Sequence, residues 1–466
     1  MPHDTDYKVG GSSLGGAGLE WLSLSYLLYS LVLAVGLLVS LPFWLYQVLR
    51  HGKYRTGFAA RMGQVPARLM ALSGSPPRRV IWVHAVSVGE VLAVSGLVEE
   101  MRRNLSQHQV LISTTTDTGQ QLARKRFGEE NVFYFPLDFA FAIRPYLRAL
   151  QPELVVLVET EFWPNFLRLA HASGARIAVV NARISDRSWP RYRRFDWALR
   201  RMLKNVDLFL AQTQEDCARL QSIGAEASRL RVTGNLKFDV SLPAPPPIVE
   251  SLRRSIVTER AGPVLVCGST VDDEEPPLLK AFENLRVAHP RALMILAPRH
   301  PERFDQVAIL VRQLEIPLVR RSQGVGQPLA GGVLLVDTIG ELAALYALAD
   351  VAFVGGSLVP RGGHNIIEPA QHGVAIVTGN HTENFRDIVG LFQSRDAVRI
   401  VGLAELPLTL MQLLADDAER LALGRRALET IRSQMGATSR TLEALKTLVA
   451  PEANVRAVPA QAAHSD

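Results

Sequence analysis

Apolar residues along this chain form two kinds of pattern. The first is a single run, residues 21–49, of 29 positions without a charge. A helix rises about 1.5 Å per residue, so the run exceeds the roughly 30 Å of a bilayer's hydrocarbon core. Trp21 stands at one end, with Trp44 and Tyr46 at the other, as interfacial aromatics do. Pro42 kinks such a helix or marks its end. The second pattern is an alternation of short apolar runs with amphipathic segments such as 91–105 and 119–126. The runs at 80–84, 110–114, 154–159, 177–181 and 208–211 predict strands, and a second series follows at 264–268, 293–297, 333–337, 351–355 and 375–378. Continuous apolar strands alternating with helices predict parallel sheets covered on both faces.

Between the two series lies Ser241-Leu-Pro-Ala-Pro-Pro-Pro-Ile248, too rich in proline for the interior of an element. The pattern divides the chain into a disordered stretch (1–20), a transmembrane anchor (21–49), a first Rossmann-like domain (50–240), a linker (241–248), a second Rossmann-like domain (249–450) and a flexible tail (451–466). Two doubly wound domains place a cleft between them. Ligands of such sheets bind beyond the carboxyl ends of the strands.

Charge adds an orientation. Lys8 stands against Asp4, Asp6 and Glu20 before the apolar run, while Arg50, Lys53, Arg55 and Arg61 follow it. The positive-inside rule then puts the C-terminal bulk in the cytoplasm. A cleavable signal peptide would need a basic start and a shorter apolar stretch, and this segment has neither. The composition, 48% hydrophobic and 21% charged, suits a folded chain, and the net charge of +6 suits anionic partners without requiring them. Cys217 and Cys267 are too few for a disulfide scaffold and read as core residues. No Cys/His spacing resembles a zinc site.

The strand ends carry the candidate chemistry. His84-Ala-Val-Ser-Val-Gly-Glu90 contains the capping box Ser87-x-x-Glu90, which is a complete structural explanation by itself. The functional alternative makes Glu90 a general base at a helix N-terminus. Thr114-Thr-Thr-Asp-Thr-Gly119 offers either a helix cap or amides for an anion. Glu159-Thr-Glu-Phe-Trp-Pro-Asn165 sets two carboxylates at a strand end, a pattern packing does not demand. A basic and aromatic stretch from Arg191 to Lys204 is a solvated face or a surface for lipid phosphates. Lys237 in Gly234-Asn-Leu-Lys-Phe-Asp239 faces the expected cleft. In the second half, Arg299 at a strand end suits a nucleotide phosphate. Asp337-Thr-Ile-Gly-Glu341 supplies a turn and a carboxylate. The glycine-rich turns Gly268-Ser-Thr270, Gly355-Gly-Ser357 and Gly362-Gly-His364 admit a ligand close to the backbone, and Glu368 could accept from ribose hydroxyls.

Taken together, His84–Glu90, Tyr134-Phe-Pro-Leu-Asp-Phe139, Glu159–Asn165, Asn181-Ala-Arg-Ile-Ser-Asp186, Gly234–Asp239, Ala297-Pro-Arg-His-Pro-Glu-Arg-Phe304 and His364-Asn-Ile-Ile-Glu-Pro369 resemble the bacterial transferases of 3-deoxy-D-manno-octulosonic acid (Kdo) in lipopolysaccharide synthesis, glycosyltransferase family 30. The resemblance runs in order from about residue 54 to 386. It implies the glycosyltransferase B fold and inverting, metal-independent transfer of Kdo from CMP-Kdo to the lipid A precursor lipid IVA. No cofactor, no metal and no nucleic acid is expected. The implied partners are CMP-Kdo, lipid IVA and membrane lipids, at the inner membrane. Glu90 matches the family's general base, and Glu161 and Lys237 match positions that stabilise charge in the transition state. Pro298, Arg299, Ile339, Gly340, Glu341, Asn365, Ile366, Ile367 and Glu368 match CMP-binding segments. The family often has His and Gly after the Thr of Thr270-Val-Asp-Asp-Glu-Glu275, so the shape of that loop departs from the pattern. A nucleotide-sugar epimerase on the same fold and a noncatalytic nucleotide-binding module are the competing readings. A dinucleotide oxidoreductase is disfavoured because no G-x-G-x-x-G follows the first strand.

Overall fold

The structure is a computed structural model that describes residues 26–42, 57–70, 79–185, 188–239, 246–324 and 326–449. These divide into two compact units. The first runs to Asp239 and resumes at Gly436; the second spans Val240–Met435.

The first unit is built on a seven-stranded sheet: β1 (Arg79–His84), β2 (His108–Thr114), β3 (Val132–Tyr134), β4 (Pro152–Val158), β5 (Arg176–Ala182), β6 (Leu208–Ala211) and β7 (Leu230–Val232). Its order is β3-β2-β1-β4-β5-β6-β7, and every pairing is parallel. Both faces are buried, as the continuous apolar runs require. In β4, Val155 and Leu157 enter one core while Leu154, Val156 and Val158 enter the core on the opposite face. In β1, Trp82 and Ile81 divide the same way. Each fully buried aliphatic side chain contributes about 1.5–3 kcal/mol relative to exposure. Cys217 lies in the first of these cores.

The second unit repeats the scheme with β8 (Val264–Thr270), β9 (Leu293–Pro298), β10 (Leu318–Arg320), β11 (Val333–Leu335), β12 (Val351–Val354), β13 (Ala375–Gly379) and β14 (Arg399–Val401). The order is β10-β11-β9-β8-β12-β13-β14, again all parallel. Met294 and Leu296 face one core with Cys267, and Leu293 and Ile295 face the other. In each sheet the strand order reverses beside the first strand, between β1 and β4 and between β8 and β12. These are the topological switch points where ligands of doubly wound sheets collect.

Three expectations about boundaries change. The helix Pro247–Glu259 begins inside the expected linker, because proline is tolerated in a first helical turn; residues 240–245 lie outside the described residues. The second unit ends at Met435 rather than at 450. The helix Ala437–Lys446 returns to the first unit, where Ala437, Leu442 and Leu445 join the core of β1 and β4. Asp239 caps it, accepting from the backbone N–H groups of Gly436 at 2.7 Å and of Thr438. Of the expected anchor, residues 26–42 are helical and the remainder lies outside the described residues. No helix among the described residues is long and apolar enough to cross a membrane. The expected disordered start and the tail also lie outside the described residues.

Candidate functional site

The first unit gathers four charged side chains. Ser87 caps the helix Val88–Asn104, its Oγ accepting from the Glu90 backbone N–H at 3.4 Å. The Glu90 carboxylate turns back to accept from Val86 N–H and Ser87 Oγ, each at 2.8 Å. The capping geometry and the chemical candidate are therefore one group. Glu90 is only 8% exposed. Burial raises its carboxyl pKa to about 7 despite those two hydrogen bonds, and Glu159 and Glu161 nearby push it further up.

Glu159 and Glu161 follow β4, across the switch point from Glu90. Glu159 adopts the left-handed backbone region, φ 61°, which is costly for a residue with a side chain. Its N–H still bonds Val180 O at 2.9 Å, so neighbouring β5 holds the strained residue in place. Glu161 is raised by burial and then by Glu159. Lys237 completes the group, its Nζ 3.6 Å from Glu159 Oε1. The cation therefore pairs with Glu159, a residue singled out in the sequence but given no role there, and the nearness of both carboxylates to Glu90 makes it part of this site. Asn181, wholly buried with φ 54°, positions the lysine segment by accepting from Leu236 N–H at 3.1 Å.

Other motifs prove structural. Asp138 caps the helix Pro164–Ala172, accepting from the N–H groups of Asn165 at 3.1 Å and Phe166 at 2.8 Å. Thr116 caps the helix Asp117–Phe127 by accepting from Gly119 N–H at 3.1 Å, so the threonine turn is a cap.

The second unit assembles a separate group beyond β9 and β12. Pro298 ends β9, and exposed Arg299 follows with its N–H on Thr270 O at 2.8 Å. Arg299 stands close enough to His364 and Glu368 to alter both: it helps burial hold His364 down at about 4, and it partly offsets the burial that raises Glu368. Asn365 Nδ2 donates to Glu368 Oε1 at 3.2 Å, and Asn365 Oδ1 accepts from Ile367 N–H at 3.1 Å. Ile366 and Ile367 are buried, and Ile366 O accepts from Ala370 N–H at 3.3 Å. His364 is the residue here that carried no assignment; its Nε2 is buried without a partner. Ile339 and Gly340 are exposed beyond neighbouring β11, while Glu341 is engaged by Arg321 at 2.8 Å and by Thr338 Oγ1. The structure shows no bond joining this turn to Arg299 or Glu368.

One expected phosphate site is overturned. The amides of Gly356, Ser357 and Leu358, after β12, all donate to the carboxylate of Glu274. The Gly355-Gly-Ser357 turn is thus occupied by the chain's own anion. Gly268-Ser-Thr270 is the end of β8 rather than a turn, and the next helix starts at Glu275.

Comparison with known proteins fixes the family. Residues 56–240 match the family described as 3-Deoxy-D-manno-octulosonic-acid transferase (kdotransferase). The 3-deoxy-D-manno-octulosonic acid transferase of Haemophilus influenzae is 33% identical over 84% of this chain and 92% of its own. This chain belongs to the Kdo transferase family. The Kdo transferase of Bordetella pertussis is 37% identical over 90% of this chain and 98% of its own. The Kdo transferase assignment makes the chain a glycosyltransferase. Its two parallel-sheet α/β units are those of the glycosyltransferase B fold. A putative UDP-N-acetylglucosamine 2-epimerase from Listeria monocytogenes shares that fold at 13% identity, with a TM-score of 0.53 over 79% of this chain and 96% of that one.

Proposed function

We propose that the chain transfers Kdo from CMP-Kdo to lipid IVA with inversion, drawing positive charge from Lys237 and Arg299 rather than from a metal. Glu90 takes the proton of an acceptor hydroxyl, the freed oxygen attacks the anomeric carbon of Kdo, and CMP leaves with the electron pair of the broken bond. The observation that carries this reading is the Glu90 carboxyl, buried near Glu159 and Glu161, the first of which pairs with Lys237, and poised near pH 7. A general base works best with a pKa close to the working pH. Glu161 and Lys237 stabilise charge during transfer. Pro298, Arg299, the turn of Ile339, Gly340 and Glu341, and the segment Asn365, Ile366, Ile367 and Glu368 hold the nucleotide. The family relationship supports the donor, and a guanidinium beside the partly buried Glu368 suits a phosphate next to a ribose.

The same reading places the protein at the inner membrane through a single anchor over residues 21–49, with both units on the cytoplasmic side. The helix 26–42 exposes Leu27, Leu28, Leu31, Val32, Val35, Leu38, Val39 and Leu41, an outward face suited to lipid tails. The deciding experiment is transfer from freshly generated CMP-Kdo to lipid IVA, read by mass spectrometry of the lipid. A gain of one or more Kdo units is expected in the wild type and not in Glu90→Gln. Folded, CMP-binding protein that forms no product would overturn the acceptor assignment.

A further inference from the structure

The switch point of the second sheet, between β8 and β12, is where a doubly wound fold commonly seats a phosphate. Here it holds Glu274, which is 0% exposed. Oε2 accepts from Val271 N–H at 3.0 Å and Gly356 N–H at 2.7 Å; Oε1 accepts from Ser357 and Leu358 N–H, each at 2.8 Å. Four backbone donors converge on one buried carboxylate, which is how a glycine-rich nest binds an anion. The backbone is bent to make this fit: Ser269 and Asp273 have φ of 55° and 71°. A Cβ on Gly355 would lie 2.8 Å from Glu274 Oε2 and 2.7 Å from Thr270 Cα, so only glycine fits there.

The loop held in this way contacts Gly363 and His364, which lead directly into the candidate nucleotide residues. Gly356 O accepts from Gly363 N–H at 2.7 Å. The His364 ring packs against Gly356 so closely that a Cβ there would lie 2.7 Å from its Nε2. Asn365 and Glu368 follow within one helical turn. The neighbouring Glu275, also 0% exposed, accepts from Thr270 Oγ1 at 2.9 Å and pairs with Arg303 at 2.7 Å, steadying the β8 end from which Thr270 O holds Arg299.

We propose that Glu274 is a positioning residue for donor binding: its carboxylate is the permanent anion of the Gly355–Leu358 nest, and by filling it sets His364, Asn365 and Glu368 for the nucleotide. This rests on the reading that Arg299 and residues 365–368 hold CMP. The nest is consequently closed to the donor phosphate, which must be met by Arg299 instead. Glu274→Gln keeps the shape but turns an N–H2 group toward two backbone donors. Gly356→Ala keeps the Glu274 carboxylate but strains the nest backbone, where Gly356 has φ 69° and donates to Glu274, and it displaces the His364 ring.

The test is CMP affinity by calorimetry on the full chain, with the split between KM for CMP-Kdo and kcat, for these two variants and Arg299→Ala. Folding is checked by circular dichroism, and Glu274→Asp serves as the charge-keeping variant. A positioning role predicts Kd and KM raised about tenfold in Glu274→Gln and Gly356→Ala, the size expected when roughly one hydrogen-bonded contact is misplaced. It also predicts a smaller rise in Glu274→Asp, nearly unchanged kcat at saturating donor, and faster hydrogen exchange at the 356–358 amides. A folded Glu274→Gln with faster exchange and unchanged CMP affinity overturns the proposal while Arg299→Ala still loses affinity. Unchanged affinity in all of the variants overturns the donor site along with it. Should Glu274→Gln fail to fold, Gly356→Ala decides the matter, and wild-type affinity there overturns the proposal.

Discussion

Replacing Glu90 by glutamine tests two consequences of one buried carboxyl. In the folded protein the group titrates near 7, against an ordinary value of 4.5. Folding therefore favours its protonated form. The stability this contributes is complete below about pH 4.5 and is lost as the pH rises through about 7, and at about 1.4 kcal/mol per pH unit the loss approaches ~3 kcal/mol. Glutamine resembles the neutral acid and does not titrate. At pH 5 the variant should lie within about 1 kcal/mol of the wild type, since its amide N–H2 cannot accept from Val86. At pH 8 it should be the more stable of the two by up to about 3 kcal/mol. All six tryptophans precede residue 240, so urea unfolding followed by their fluorescence reports the first unit. Transfer should move the other way, with kcat falling about 10²- to 10⁴-fold, the usual worth of a general base. The wild-type rate should rise with pH through about 7. A variant that keeps the wild type's pH-dependent stability refutes the environment of Glu90, and one that retains turnover with the same rise in rate through about pH 7 refutes its role.

Lys237→Ala removes the cation beside Glu159, so Glu90 should titrate higher still; kcat falls and the pH–rate limb moves to higher pH, with partial recovery in Lys237→Arg. His364, held near 4, stays neutral from pH 5 to 8, so CMP affinity measured by calorimetry should show no inflection near 6.5 traceable to it, and His364→Gln should leave the pH profile of binding unchanged. Asp239→Ala takes away the cap of the helix Ala437–Lys446 and should cost about 1–2 kcal/mol in the fluorescence-detected unfolding of the first unit.

The ten central strands were legible because each is a run of apolar residues buried on both faces. Four strands were not: β3, β7, β10 and β14. Each has three residues and each lies at the edge of its sheet, where pairing on one side only leaves a pattern too short to separate from loop. At the site, Glu90, Glu161 and Lys237 were visible by their place at strand ends and by resemblance to the family. That Lys237 meets Glu159 was not visible, because the pairing depends on the left-handed turn at Glu159 and on Asn181 holding Leu236. Glu274 was hidden for another reason. Two glutamates before an apolar helix read as ordinary first-turn acids, stabilised by the helix dipole. Nothing local announces that one of them reaches 82 residues along the chain to a glycine turn.

The bond from Gly436 N–H to Asp239 has a further meaning for how this chain is assembled. The outgoing and returning strands of polypeptide meet at one carboxylate, 2.7 Å from donor to acceptor. In sequence terms the second unit is a guest inserted into a host whose own ends are already stitched together. Such insertions are separable where the joined termini lie close. A shortened gene that runs from Asp239 directly into Gly436 through a brief glycine bridge would keep the host's core whole, whereas truncation at Met435 would strip Ala437, Leu442 and Leu445 from it. During synthesis the host cannot complete its core until the guest has been made, because the helix Ala437–Lys446 that closes it follows the guest along the chain.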